Sequence, residues 1–205
     1  MKPRSEFEFD HAAFWRQRLF EAEAGMTNYL VRVHRKTYLD AWIKILSEVF
    51  HDLPVNDLDD VEGWKKSFFR AQALLERFLI GLFGEEVITD WAVENAKIYS
   101  QLEPGGFGKA TTPIRRIERQ AKLYGSICAV STDDSARSVI RIDRCAIWDY
   151  REAARARGVP ITLRSPCTYC TRSMSENIRA RGCVPNYQLR EIDGIHGCEW
   201  TASRP

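Results

Sequence analysis

The sequence lacks a long apolar run free of charge. Its longest apolar region, residues 68–83, contains Arg70, Glu76 and Arg77, and a membrane-spanning helix would have to bury these charges at considerable cost. We therefore expect no membrane-spanning segment and no membrane partner. The first ten residues are charged and lead into an amphipathic segment, which is not the pattern of a signal or transit peptide. The expected location is the cytoplasm.

The sequence also lacks an excess of charge of one sign. The chain has 30 Lys and Arg residues and 28 Asp and Glu residues, and charges of both signs are interspersed along it. No dense cationic surface is expected, so nucleic acid is not a predicted partner. Glycine and proline are sparse, at 12 and 8 of 205 residues, which excludes collagen-like and low-complexity chains. The 44% hydrophobic content is typical of a globular protein with a core of its own.

The first part of the chain has the apolar spacing of helices. The clearest pattern alternates steps of four and three residues, which places every member on one helical face: Trp64, Phe68, Ala71, Leu75, Phe78 and Leu82. Asp10 is a predicted N-cap for a first helix, which Gly25 is expected to interrupt. Two further helices are predicted over residues 39–50 and 85–100. Residues 1–103 are therefore predicted to be a helical region.

The pattern changes after a glycine-rich break at residues 104–108. A basic helix is predicted over residues 114–123, and the segments beyond it have the pattern of a hairpin, two helices and a second hairpin. The predicted strands are residues 126–130, 138–142, 187–192 and 198–202, the predicted helices are residues 146–157 and 166–181, and residues 193–197 are the predicted second turn. Residues 109–205 are thus predicted to be a cysteine-rich α+β region that packs with the first as one compact unit. The expected fold class is α+β, with a helical N-terminal half packed with an antiparallel sheet and two helices in the C-terminal half.

Five of the six cysteines lie in the last third of the chain, after residue 144. Ser165 and Pro166 have the pattern of a helix start and place Cys167 in the first turn, where the positive helix end favours a thiolate. Cys170 follows by three residues and shares that helical face. Cys145 stands where a strand passes into a helix. We predict that these three cysteines are candidate catalytic nucleophiles.

Other interpretations of the cysteines remain open. Cys128 and Cys183 have the pattern of buried apolar residues. A zinc ion bound by Cys145, Cys167, Cys170 and Cys198 is an alternative, although a zinc ribbon would show a second closely spaced cysteine pair. A thioredoxin-like redox role is less favoured, because the predicted strand order does not match that unit.

The polar residues that could assist such chemistry are His196 and a group of arginines. His196 is predicted to lie on the second hairpin turn and is a candidate general base. The basic helix carries Arg115, Arg116 and Arg119, which could hold a substrate carboxylate by paired hydrogen bonds or form a solvated face. Asp143 and Glu199 flank two of the cysteines and could orient a base, or they are surface carboxylates.

Three segments together resemble the L-2-amino-thiazoline-4-carboxylic acid hydrolase family: Ile142–Trp148, Pro166–Cys170 and Gly197–Trp200. The likeness covers approximately residues 124–202, and Cys170 stands where the family pattern has an acidic residue. The resemblance implies a cytoplasmic hydrolase that opens a small cyclic amidine or thiazoline ring carrying a carboxylate, with cysteines lining the site. No cofactor is expected for this chemistry.

The same region is also similar to the small-ligand-binding domain of the vinyl-reductase type, which implies a sensory module that binds zinc or a small ligand. Both resemblances imply helices packed against an antiparallel sheet, so the fold does not decide between them. The predicted partner is a small-molecule substrate, and a homo-oligomer is compatible with the sequence.

Overall fold

The computed structural model describes residues 10–33, 37–102, 105–159 and 161–205. Contacts between Cα atoms divide the chain into two units, Met1–Phe78 and Leu79–Pro205. This division falls within a helix, whereas the sequence places a boundary at residues 104–108. Residue 103, the last of the predicted helical region, and residue 104 lie outside the described residues, and the two regions predicted from the sequence remain a prediction.

The first unit is helical. It contains α1 (His11–Val33), α2 (Leu39–Phe50) and most of α3 (Val61–Phe83). The predicted N-cap is present, since Asp10 Oδ1 accepts a hydrogen bond from the Ala13 N–H at 2.8 Å. The predicted break at Gly25 is wrong, because α1 continues through this buried glycine. A glycine inside a helix costs only about 1 kcal/mol relative to alanine, and burial of the neighbouring Met26 outweighs that cost.

Aromatic side chains fill the core of the first unit. Trp15 lies against Phe68, with 5.1 Å between the ring centroids. Trp42 is buried and donates a 2.8 Å hydrogen bond from its indole N–H to the Thr27 hydroxyl, so its polar atom is satisfied. The apolar stripe predicted for α3 is buried over its first four members and exposed at Leu82, in the last turn.

The second unit combines helices with a four-stranded antiparallel sheet, which confirms the predicted α+β class. After α3 the chain makes a short 3₁₀ turn at Glu85–Val87. The helices that follow are α4 (Ile88–Leu102), α5 (Thr111–Tyr124), α6 (Ala146–Ala156) and α7 (Cys167–Ala180). The strands are β1 (Ile127–Asp133), β2 (Arg137–Arg144), β3 (Val184–Ile192) and β4 (Ile195–Ser203), in the spatial order β1-β2-β4-β3.

Strand register brings the apolar side chains of the sheet onto one face. Ile142 of β2 and Leu189 of β3 both pair with Cys198 of β4, and Ile140 pairs with Trp200. Residues of α5 and α7, including Ile114, Ile117 and Ile178, pack with this face in one buried cluster. The sheet and these two helices therefore enclose the core of the second unit.

The second hairpin turn is shorter than predicted. Only Asp193 and Gly194 lie between β3 and β4, and both have positive φ, at 51° and 76°. This is the backbone of the tight two-residue turn for which an Asp-Gly pair is well suited. The prediction that His196 lies on the turn is wrong, because His196 is the second residue of β4.

No helix within the described ranges is long and apolar enough to cross a bilayer.

Candidate functional site

A cavity of about 380 Å³ lies between the helices and the sheet of the second unit. Its walls are the end of α5, the start of α6, the first two turns of α7, and parts of β2, β3 and β4. Most of the lining side chains are apolar or carry sulfur: Ala121, Tyr124, Ile142, Cys145, Ile147, Trp148, Pro166, Cys167, Cys170, Met174, Leu189, Cys198 and Trp200. The remaining lining residues are Ser126, Ser165, Thr171, Arg190, Glu191, His196 and Gly197.

The structure brings four cysteines from three separate segments to this cavity. Cys145, Cys167, Cys170 and Cys198 all line it, together with the thioether of Met174. All six cysteines of the chain are free thiols. Cys128 and Cys183 are not among the lining residues, and both contribute to the neighbouring core. The sulfur atoms therefore form one group around a common space.

Cys145 is fixed at the junction of β2 and α6. Its backbone N–H donates a hydrogen bond to the carbonyl of His196 at 2.8 Å, which ties the start of α6 to β4. Its backbone is extended and occupies the N-cap position of α6. The N–H groups of Ile147 and Trp148 lie near the sulfur and act to lower the thiol pKa, although neither has the geometry of a full capping hydrogen bond.

Cys167 and Cys170 project from the start of α7. The Ser165 hydroxyl accepts a hydrogen bond from the Cys167 N–H at 3.2 Å, as a capping serine does, although Pro166 rather than Ser165 occupies the N-cap position. The Thr171 hydroxyl donates to the Cys167 carbonyl at 3.0 Å. These contacts hold the first turn of α7, and with it the spacing of the two cysteines.

Burial opposes the activated thiolate that the sequence predicts at Cys167. Burial raises the pKa of this thiol, and this effect exceeds the lowering that the Ser165 hydroxyl supplies. Burial also raises the pKa of Cys145 and Cys170, and it raises the pKa of Cys198 to about 12. A charge on Cys145 would further disfavour ionisation of the other three thiols. All four are therefore neutral at pH 7.

His196 lies at the edge of the cavity in a defined orientation. Its imidazole stacks on the indole of Trp148, with 3.8 Å between the ring centroids and 22° between the ring planes. Its Nδ1 lies 3.7 Å from a carboxylate oxygen of Glu191, the residue opposite it on β3. The sequence analysis did not single out Trp148, Arg190 or Glu191, and only the pairing of β3 with β4 brings the last two to His196 and Gly197.

The predicted carboxylate-binding arginines are not among the lining residues of this cavity. Arg115 pairs with Glu118 at 2.8 Å and with Asp133. Arg116 is 1% exposed and lies over the ring of Tyr99, with 5.1 Å from its guanidinium carbon to the ring centroid. Arg119 is half-buried on the same helix. The part of α5 that reaches the cavity is its C-terminal end, at Ala121 and Tyr124.

The two carboxylates proposed to assist the cysteines are also placed elsewhere. Asp143 pairs with Arg141 at 2.7 Å on the exposed part of β2, and Glu199 lies opposite Arg141 on β4. Because neighbouring residues of a strand point to opposite faces, Glu199 faces away from Cys198 and Trp200.

The four cavity cysteines are not arranged as the ligands of a zinc ion. Among the residues that the structure describes, no group of three or more His, Cys, Asp or Glu side chains is arranged to hold a metal ion. A structural zinc would need four such ligands in a tetrahedron. The arrangement therefore does not fit the predicted zinc alternative.

Comparison with known proteins assigns no family to this chain. No family model matches it, and no curated protein matches it. A mutant of the Fe(II) unliganded H-NOX protein from K. algicida is similar at a TM-score of 0.41 and 9% identity, over 89% of this chain and 96% of that chain. The Fe(II) unliganded H-NOX protein from the same organism has a TM-score of 0.37 at 8% identity, over 89% and 96% of the two chains. These values are too low to carry an argument about function.

Proposed function

We propose that this protein binds a small, mainly apolar molecule in the thiol-lined cavity. The observation that carries the proposal is the lining itself, in which apolar side chains and neutral thiols surround about 380 Å³. Cavities of roughly 300–1,000 Å³ with a few placed polar groups are typical of small-molecule sites. The function is that of a ligand-binding module, in line with the resemblance to small-ligand-binding sensory domains of the vinyl-reductase type.

The aromatic residues of the cavity narrow the class of ligand. Tyr124, Trp148 and Trp200 all line it, and aromatic side chains pack well against a planar ring. Because most of the lining is apolar, a charged ligand would lose hydration that these side chains do not replace. The preferred ligand is therefore an uncharged planar ring.

Saturation-transfer NMR with benzothiazole, indole and benzoate tests this proposal. Benzothiazole and indole are uncharged planar rings and are expected to bind, whereas the carboxylate of benzoate would lose its hydration in this mainly apolar lining. Met174→Trp fills the cavity from α7 and is expected to abolish binding. Arg179→Trp is the matched control, because it adds the same side chain on the exposed side of the same helix. Equal binding by both variants, or binding of none of the probes, would refute the proposal.

A second candidate is the hydrolase activity that the family resemblance implies, and one observation favours Cys145 as its nucleophile. Cys145 is the cavity thiol near which two backbone N–H groups act to stabilise a thiolate. In this reaction the sulfur bonds to the ring C=N carbon and the thiol proton moves to the ring nitrogen. The bond from this carbon to the ring sulfur then breaks, the ring sulfur takes a proton from the exocyclic amino group, and the carbon regains a C=N bond. Water adds across that bond, the bond from the carbon to the enzyme sulfur breaks, and the enzyme sulfur takes the proton of the new hydroxyl, which leaves a ring-opened carbamoyl product.

Mass spectrometry of L-2-amino-thiazoline-4-carboxylate after incubation with the protein tests the hydrolase candidate. The expected result is a product heavier by one water, lost in Cys145→Ser and retained in Cys183→Ser, whose sulfur lies outside the cavity. An unchanged substrate mass with the native protein, or turnover that persists in Cys145→Ser, would exclude this mechanism.

A further inference from the structure

Two of the cavity thiols are held at a fixed spacing by a single helix. Cys167 and Cys170 are separated by one turn of α7, so their Cβ atoms are about 5–6 Å apart. Both residues line the cavity, and the hydrogen bonds of Ser165 and Thr171 to the Cys167 backbone hold this turn. Cys145 and Cys198 come from other elements. The α7 pair is therefore a dithiol with a rigid backbone beside an apolar space.

Neutral thiols beside an apolar space favour a ligand that offers a soft atom to sulfur. Cys167 and Cys170 are poor nucleophiles toward carbon, because burial favours their neutral form and the thiolate is the reactive form. Soft sulfur ligands nevertheless prefer soft partner atoms, and a bond to such an atom displaces the thiol proton. Trivalent arsenic is soft and bonds to two thiols at once, while its third substituent can be an apolar organic group.

We propose that the cavity captures a small apolar compound of trivalent arsenic, with Cys167 and Cys170 bonding to the arsenic atom and its organic group filling the apolar space. This inference rests on the proposed binding function and names a ligand class for the same cavity. Ile142, Leu189 and Trp200 of the sheet provide the apolar surface opposite α7 for the organic group.

The capture reaction is balanced without an oxidant or a reductant. In an organoarsenic(III) oxide the arsenic is bonded to oxygen, and each thiol contributes its sulfur to one new arsenic–sulfur bond. The arsenic–oxygen bonds and the two sulfur–hydrogen bonds break, and the oxygen leaves as water with both protons. The arsenic stays trivalent, and neither sulfur is oxidised.

Phenylarsine oxide and native mass spectrometry test this inference. The reduced protein is expected to gain one phenylarsenic unit and lose two hydrogens. Cys167→Ser and Cys170→Ser are each expected to lose the adduct when excess free monothiol is present, because a single sulfur does not hold arsenic against that competition. Cys128→Ser and Cys183→Ser, whose sulfurs lie outside the cavity, are expected to keep it. An adduct that survives in the Cys167→Ser, Cys170→Ser double variant would overturn the assignment, as would its absence in the native protein.

Benzothiazole binding separates failure of this inference from failure of the proposed function. Benzothiazole binding is measured on the native protein, and circular dichroism with urea unfolding shows that the double variant is folded. If native protein binds benzothiazole but does not capture phenylarsine oxide, the arsenic inference fails and the binding function stands. If an adduct forms on Cys167 and Cys170 while benzothiazole and indole do not bind, the preference for planar rings fails and the dithiol assignment stands.

Discussion

The imidazole of His196 lies flat on the indole of Trp148, with 3.8 Å between the ring centroids. Trp148 belongs to the first turn of α6 and His196 to β4, and the hydrogen bond from the Cys145 N–H to the His196 carbonyl joins the same two elements. Backbone and side chain of His196 are therefore both held by α6. This fixes one edge of the cavity.

Replacing Trp148 should release the His196 ring. In Trp148→Leu we expect the ring-proton resonances of His196 to move downfield, because the shielding by the stacked indole is lost. The stack should also contribute about 0.5–1.5 kcal/mol to the free energy of unfolding. NMR of the native and variant proteins and urea unfolding measure the two effects. Trp148→Phe keeps an aromatic ring at this position, so it should retain most of the shielding of His196 and most of the stability. Unchanged His196 resonances in Trp148→Leu would show that the stack does not persist in solution.

The cavity thiols should make the protein less stable at alkaline pH. The pKa of Cys198 rises from an ordinary value of 9.0 to about 12 in the folded protein. Above about pH 9 the unfolded chain loses this proton and the folded chain keeps it, so the free energy of unfolding falls as the pH rises toward 12. The limiting slope is about 1.4 kcal/mol per pH unit for each such thiol.

Urea unfolding under reducing conditions between pH 8 and pH 10 measures this slope. Cys198→Ala removes one titrating thiol and is expected to make the slope shallower, whereas below pH 8 it should leave the pH dependence unchanged. A slope identical in the native and variant proteins would contradict the raised pKa of Cys198.

Local sequence patterns predicted the elements of this fold and the cysteines of its cavity. The stripe from Trp64 to Leu75 defines α3, and the pattern from Ser165 to Cys167 places the start of α7 within one residue. The ionisation state of Cys167 could not be predicted in this way, because it depends on burial by residues distant in sequence. The sequence also could not show where the Arg116 side chain points. A helix with several arginines does not reveal which of them lies over the buried ring of Tyr99.

Gly197 allows β4 to approach β2 closely where the cavity begins. A Cβ atom at this position would overlap the carbonyl oxygen of Ile142, a backbone atom that cannot rotate away. Gly197→Ala is therefore expected to destabilise the protein by about 1–3 kcal/mol and to weaken benzothiazole binding. Gly81→Ala is the matched control: no atom lies within 4 Å of its added Cβ, and a helical alanine should be stabilising. Urea unfolding compares them, and equal stability of Gly197→Ala and native protein would show that β2 and β4 separate readily here.

The two-residue turn of Asp193 and Gly194 sets the register that places His196 opposite Glu191. Gly194 has φ of 76°, a conformation that costs a residue with a Cβ about 1–2 kcal/mol. Gly194→Ala should therefore lower the free energy of unfolding by about that amount, and Asp193→Asn should not, because asparagine tolerates positive φ. Urea unfolding measures both variants, and the His196 resonances report whether the register survives. If Gly194→Ala were as stable as the native protein, the hairpin would close through another turn, and the placement of His196 at the edge of the cavity would lose its structural basis.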